Sequence, residues 1–245
     1  MSNSQKQDEW LVRMEAQSKA KQEQFMDRIA QRLNRPRMIE RPAQPFRGAP
    51  DFWRTFEWNE QERIERFTQN FLSVGGHVKR LGTMEEASSF ITAKARELDA
   101  KYIVRQQESA LEQLGLETKL AQAQVSAWNS DGSGPDFWKA RAAEADIGVV
   151  MADYAVAYTG SVAVLSSPYK GRSVSLLPTV LMILIPAERL KTRLGEVLPE
   201  FDELGQGRLP AGIHFISGPS RSSDIENDLT IGVHGPGIVY ALIVG

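Results

Sequence analysis

The chain has 245 residues, 42% hydrophobic and 24% charged, with 29 Lys and Arg against 31 Asp and Glu for a formal net charge of −2. That content buries a good core as one domain with an appendage or as two small domains, and the charge balance gives no overall electrostatic case for nucleic acid or an anionic membrane. With no cysteine, the chain can form no disulfide, no thiolate nucleophile and no Cys-ligated zinc or iron–sulfur cluster. The N-terminus shows no basic segment followed by an apolar one, and no run reaches the roughly 18 apolar residues that span a bilayer, so the cytoplasm is the expected location.

Residues 8–34 carry Trp10, Leu11, Met14, Phe25, Met26, Ile29 and Leu33 at an incomplete helical period among Gln, Lys and Glu. A narrow apolar face opposite mixed charges reads as a docking helix rather than one lying on a membrane. Residues 34–51 then hold Pro36, Pro42, Pro45 and Pro50 with four arginines, an extended linker. Phe52, Trp53, Phe56 and Trp58 cluster next, either a hydrophobic clasp on the main body or a partner surface. We therefore divide the chain into an arm and linker over 1–59 and an α/β domain over 60–245. Lys and Arg exceed Asp and Glu by 11 to 8 in the first and fall short by 18 to 23 in the second.

From residue 61 helix and strand alternate. A helix over 61–74 ends at Gly75 and Gly76, a strand follows over 77–81, and Thr83 with Glu86 three residues on opens a helix to 99. Strands are expected at 101–105, 121–128, 147–151, 181–185, 213–216 and 238–244, with helices at 108–114, 136–145 and, broken by Pro199, 188–204. This alternation predicts a mostly parallel sheet. Residues 155–166 read as strand interrupted by a turn or bulge at Thr159, Gly160 and Ser161.

Two loops carry the composition an anion site needs. Lys170, Gly171, Arg172 and Ser173 set two cations beside hydroxyls and flexible backbone. Ser217, Gly218, Ser220 and Arg221 precede Asp224, with Ser223 and Glu226 at the spacing of a capped helix start, at what reads as the carboxyl end of a parallel strand. The same residues equally describe a well-capped helix, and neither a P-loop nor a dinucleotide fingerprint is present. His234, in G-V-H-G-P, is either a proton-transfer group or a turn histidine, and His77 and His214 begin strands. Asp153, after the 147–151 strand, is a turn residue or a polar group at the strand's working end. The three histidines are scattered and no metal site is expected.

Taken together, T-G-S at 159–161, G-R-S-x-x-x-L-P at 171–178, G-P-S-x-x-x-D-I-E at 218–226 and G-V-H-G-P at 232–236 resemble the lactate-utilisation protein C family, LutC/YkgG. Phe25 to Arg37 also resembles that family's N-terminal helix, where glycine is more usual than Asn34. The resemblance runs from about residue 25 and implies a three-layer, Rossmann-like, mostly parallel sheet of the NagB/RpiA/CoA-transferase type. It also implies a place in a system that oxidises L-lactate to pyruvate, with iron–sulfur clusters and the oxidoreductase chemistry in partner subunits and no cofactor in this chain. Two readings follow. One is an accessory subunit that uses its arm to hold partners. The other is an enzyme or binding protein in its own right, whose residues Thr159, Gly160, Ser161, Arg172, Ser173, Ser217, Gly218, Ser220, Arg221 and His234 gather around a small anionic, phosphorylated or acyl-CoA ligand.

Overall fold

The structure, a computed structural model, describes residues 3–37, 39–40, 56–205, 207–223 and 229–245. The chain divides into two compact units, Met1–Trp53 and Arg54–Gly245. In the first, α1 (Asn3–Arg32) is one continuous helix with Trp10, Leu11, Met14 and Phe25 exposed. It ends at Asn34, whose φ of 49° is left-handed, while Arg35 N–H returns to the Ala30 carbonyl at 3.1 Å. Glycine adopts that conformation most cheaply and asparagine next. Arg37 then folds back on Glu23 at 2.5 Å and Asp27 at 3.1 Å. Phe52, Trp53, Pro42, Pro45 and Pro50 lie outside the described residues.

The second unit opens with α2 (Glu60–Ser73), whose first turn is capped by the Asn59 side chain accepting from Glu62 N–H. β1 (His77–Leu81) leads to α3 (Met84–Glu97). There Thr83 accepts from Glu86 N–H at 3.2 Å, and Glu86 accepts from Gly82 N–H at 2.8 Å. β2 (Tyr102–Arg105), α4 (Ser109–Glu112), α5 (Leu116–Lys119), β3 (Gln124–Ala127), α6 (Pro135–Glu144) and β4 (Ile147–Met151) follow. Next come β5 (Tyr154–Val156), β6 (Ser161–Leu165), α7 (Ser173–Leu176) and β7 (Val180–Pro186). The chain closes with β8 (Leu190–Lys191), α8 (Leu198–Leu204), β9 (Ile213–Ile216), β10 (Arg221–Ser222), β11 (Thr230–Ile231) and β12 (Ile238–Val244).

The main sheet has six strands in the order β1-β12-β7-β4-β2-β3, every neighbouring pair parallel. Its central strands are buried on both faces, and their side chains alternate between two cores, as the period of two requires. Leu181, Ile183 and Ile185 pack with Ile64, Phe67 and Phe71 of α2. Val180, Met182 and Leu184 pack on the opposite face with Ala87 and Ile91 of α3. Each fully buried Leu or Ile contributes about 2 kcal/mol, so β7 alone anchors both layers. The second sheet, β8-β5-β6-β9, lies on the α2 face, where Ala155, Val162, Val164 and Leu190 join that core. Phe56 and Trp58 clasp this unit as expected: their rings meet at 5.5 Å, Phe56 meets Tyr158 at 5.6 Å, and Trp58 N–H donates to Thr192 at 3.1 Å.

Two expectations need correction. Residues 188–204 are not mostly helix: a 3-10 turn at Ala187–Arg189, β8 and a second 3-10 turn at Leu194–Glu196 precede α8. Leu190 and Lys191 pair with Ala155 and Val156, so sheet pairing overrides helix propensity. Pro199 sits at the start of α8, where its missing N–H costs nothing. Second, the 213–216 strand is not parallel. It pairs antiparallel with β6 in the second sheet, so the loop after it does not lie at the carboxyl end of a parallel strand. Arg221 and Ser222 of that loop form a strand with Thr230 and Ile231, and the expected helix at Asp224 and Glu226 lies outside the described residues.

Candidate functional site

Open α/β sheets place ligands where neighbouring strands send their connections in opposite directions. Here β2 leads outward to β3 while β4 leads the other way to β7, so the crevice falls between the carboxyl ends of β2 and β4. Gln106, the first residue beyond β2, is buried and accepts from Met151 N–H at 2.9 Å, joining the two strand ends. Asp153 follows β4 and Glu108 follows β2. Between them stands Lys170, its ammonium at 2.7 and 2.8 Å from the Asp153 oxygens and 3.2 Å from Glu108. Asp153 also accepts from Leu165 N–H at 2.7 Å, and Gln107 N–H donates to the Tyr169 carbonyl at 2.9 Å. The lysine's loop is thus fastened to both strand ends.

Beside this ion-paired cluster opens a cavity of about 930 Å³, lined by Trp128, Trp138, Asp153, Ser166, Lys170, Arg172, Arg208 and Pro210 among others. The indoles of Trp128, directly after β3, and Trp138, on α6, lie 6.0 Å apart. Gly171 permits this: a Cβ there would fall 2.0 Å from the Trp128 ring. The Ser166 hydroxyl is buried without a hydrogen-bond partner among the described residues. Arg208 donates to the Leu204 carbonyl at 2.9 Å, and no ion pair engages Arg172 or Arg208 among the described residues. The wall therefore offers aromatic surface, a free hydroxyl and two unneutralised guanidinium groups, the donor set for an anion with an apolar body.

The residues expected at one anion pocket divide between the two ends of β9. Arg172 lines the cavity, its Cδ packed at Gly212, just before β9, and Ser173 begins α7 beside it. Beyond the other end of β9, the Ser217 hydroxyl meets that of Ser161 at 2.7 Å. Gly160 and Gly218, both at positive φ, pack on Asn70 and Val74 at the end of α2. Arg221 donates to the Val74 carbonyl, satisfying a helix C-terminus rather than facing the cavity. Thr159 is exposed in the same turn. Ser220 is tied by its backbone to Pro236 and Gly232, at 2.9 Å each, and the exposed His234 lies between those two. With about 3.3 Å per residue along a strand, four-residue β9 keeps Arg172 and Arg221 in separate groups.

The sequence reading gives Glu108, Trp128 and Trp138 no site role, and Lys170, read there as an anion-binding cation, instead pairs with Asp153 and Glu108. Asp153 was noted at a strand's working end, and Glu108, three residues past Arg105, carries the same signal. Among the described residues no group of three His, Asp or Glu comes together. No helix there is long and apolar enough to cross a membrane.

His214 packs beside Arg172, its Nδ1 3.4 Å from the Ser175 hydroxyl. Burial first and the Arg172 charge second hold the imidazole below its ordinary 6.5. The unfolded chain then takes up this proton at higher pH than the folded one, so His214 costs stability as pH falls below about 6.5. The drop in urea midpoint between about pH 7.5 and about pH 5.5 is expected to shrink in a His214→Gln variant. An unchanged drop would remove His214 from the acid response.

The six-stranded parallel sheet, with a crevice at the carboxyl ends of β2 and β4, defines an α/β protein. The chain belongs to the LUD domain family, whose model matches residues 64–244. It is 34% identical over 217 residues to lactate utilization protein C of Shouchella clausii, covering 86% of this chain and 92% of that one. It is also 34% identical over 221 residues to lactate utilization protein C of Halalkalibacterium halodurans, covering 88% and 94%. The uncharacterized protein YkgG of Escherichia coli is 29% identical over 226 residues, covering 90% and 96%. The resemblance to the LutC/YkgG family holds over most of the chain. A crystal structure of a duf162 family protein from Deinococcus radiodurans superposes with a TM-score of 0.55 at 15% identity, covering 77% of this chain and 99% of that one. It shows the same fold.

Proposed function

We propose that this chain serves lactate utilisation as the accessory or ligand-binding subunit of a cytoplasmic system that oxidises L-lactate to pyruvate. Iron–sulfur clusters and the electron-transferring chemistry belong to its partner proteins. What carries the reading is the likeness to proteins named lactate utilization protein C along nearly their whole length. The absence of cysteine supports the division of labour, since this chain has no thiolate with which to hold a cluster.

The cavity supports a ligand-binding role within that system. Arg172 and Arg208 would meet a carboxylate or phosphate, Ser166 would hydrogen-bond it, and the Lys170 cluster would hold the strand ends at a fixed spacing behind it. It equally favours the second reading, a binding protein or enzyme acting on a small anionic, phosphorylated or acyl-CoA ligand without partners. Purification of the tagged full chain from its own cells separates the two. Co-elution with proteins showing iron–sulfur absorbance is the expected result, whereas a chain that elutes alone, leaving L-lactate oxidation in the flow-through, contradicts the subunit reading.

A further inference from the structure

We propose that the cavity between Trp128, Trp138, Arg172 and Arg208 binds a nucleotide, its base against the half-buried Trp128 and its phosphates at the two arginines. This rests on the ligand-binding reading above and names the ligand class. The first argument is size. Pockets of about 300–1,000 Å³ hold ligands of some tens of atoms, and about 930 Å³ lies near the top of that range, far more than a three-carbon hydroxy acid fills.

The second argument is the ordering of chemistry along the wall. At one side stand the half-buried Trp128 and the 3% exposed Trp138, their ring centroids 6.0 Å apart and tilted by 45°, with Gly171 packed against the Trp128 ring. Indole faces prefer flat ring systems, and bases stack on them in single-stranded nucleic acid sites. The opposite charge requirement is met on the same wall. Lys170 is neutralised by Asp153 and Glu108, whereas Arg172 and Arg208 have no carboxylate partner among the described residues. Two guanidinium forks together suit a diphosphate better than a single carboxylate.

The third argument is α6, ten residues long, whose N-terminus at Pro135 opens on the cavity. Gly134 before it supplies no capping side chain, Asp136 stands in the first turn, and the helix start faces the same space as the arginines. An uncapped helix start, two unpaired arginines, a buried lone hydroxyl at Ser166 and an indole pair therefore converge on one volume.

The test is titration of the full-length chain with ADP, inorganic pyrophosphate and L-lactate separately, read by calorimetry and by quenching of tryptophan fluorescence. ADP is expected to bind and to quench. Pyrophosphate is expected to bind more weakly, and L-lactate not to displace ADP. Arg172→Gln and Arg208→Gln, both on exposed side chains, should each weaken ADP about tenfold without changing the thermal midpoint. No ADP binding overturns the proposal, and so does ADP binding that neither arginine variant weakens. Pyrophosphate binding as tightly as ADP overturns the base contact. A chain that binds no ADP yet is needed for L-lactate oxidation sinks this inference alone. One that binds ADP but is dispensable for that oxidation sinks the lactate-utilisation reading alone.

Discussion

Gly148→Ala is expected to cost the main unit about 3 kcal/mol and to lower its thermal midpoint by on the order of 10 °C. Gly148 lies mid-way along β4, on the face where α7 crosses. A Cβ there would sit 2.2 Å from the Val174 carbonyl oxygen and 2.9 Å from the Pro178 ring. Neither neighbour can rotate away, because one is backbone and the other a ring. Either β4 or α7 must shift, and β4 is hydrogen-bonded in parallel to both β7 and β2. The same displacement would carry Gly171 and Arg172, which precede α7, away from Trp128. Urea denaturation with an unchanged slope isolates the stability effect. A loss below about 0.5 kcal/mol would mean that α7 does not pack on β4.

The second large effect is expected at Lys170. Its replacement by methionine keeps the aliphatic stem and removes the charge that Asp153 and Glu108 share. Breaking a fully buried pair from one side costs about 3–5 kcal/mol. These side chains retain 13%, 22% and 25% exposure for Lys170, Asp153 and Glu108, so solvent reduces the expected loss to about 2 kcal/mol. Adding Asp153→Asn relieves the repulsion and keeps an acceptor for Leu165 N–H, so the double variant is expected to be more stable than Lys170→Met alone. Additive losses in the double-mutant cycle would show that the ammonium does not hold the two carboxylates together.

Much of the fold could be read from the sequence because its signals are local. Residues 147–151, 213–216 and 238–244 are short, bounded apolar runs, and they are the strands observed at those positions. Thr83 and Glu86 mark the start of α3 as their spacing predicts. The parallel sheet follows from strand and helix alternating between 77 and 151. What a strand pairs with is not local, which is why 213–216 reads as a parallel strand though it pairs antiparallel with β6, and why 190–191 reads as helix though it pairs with β5.

The site was less legible for the same reason. Arg221 in a loop of small residues carries the composition of an anion site, yet the carbonyl of Val74, the cap of α2 147 positions away, takes its guanidinium. Arg172 carries the same composition and does face the cavity. Nothing in the two loops distinguishes them. Glu108, Asp153 and Lys170 meet only because β2 and β4 are neighbours. Gly171 gives no sign in the sequence that an indole covers it.

The proposed role makes this chain needed for the oxidation of L-lactate while partner proteins perform it. Its most direct measurement is L-lactate-dependent dye reduction by the purified complex, by the complex prepared without this chain, and by the chain alone. The account predicts activity in the first and little or none in the other two. Full activity without the chain, or activity in the chain alone, would contradict it.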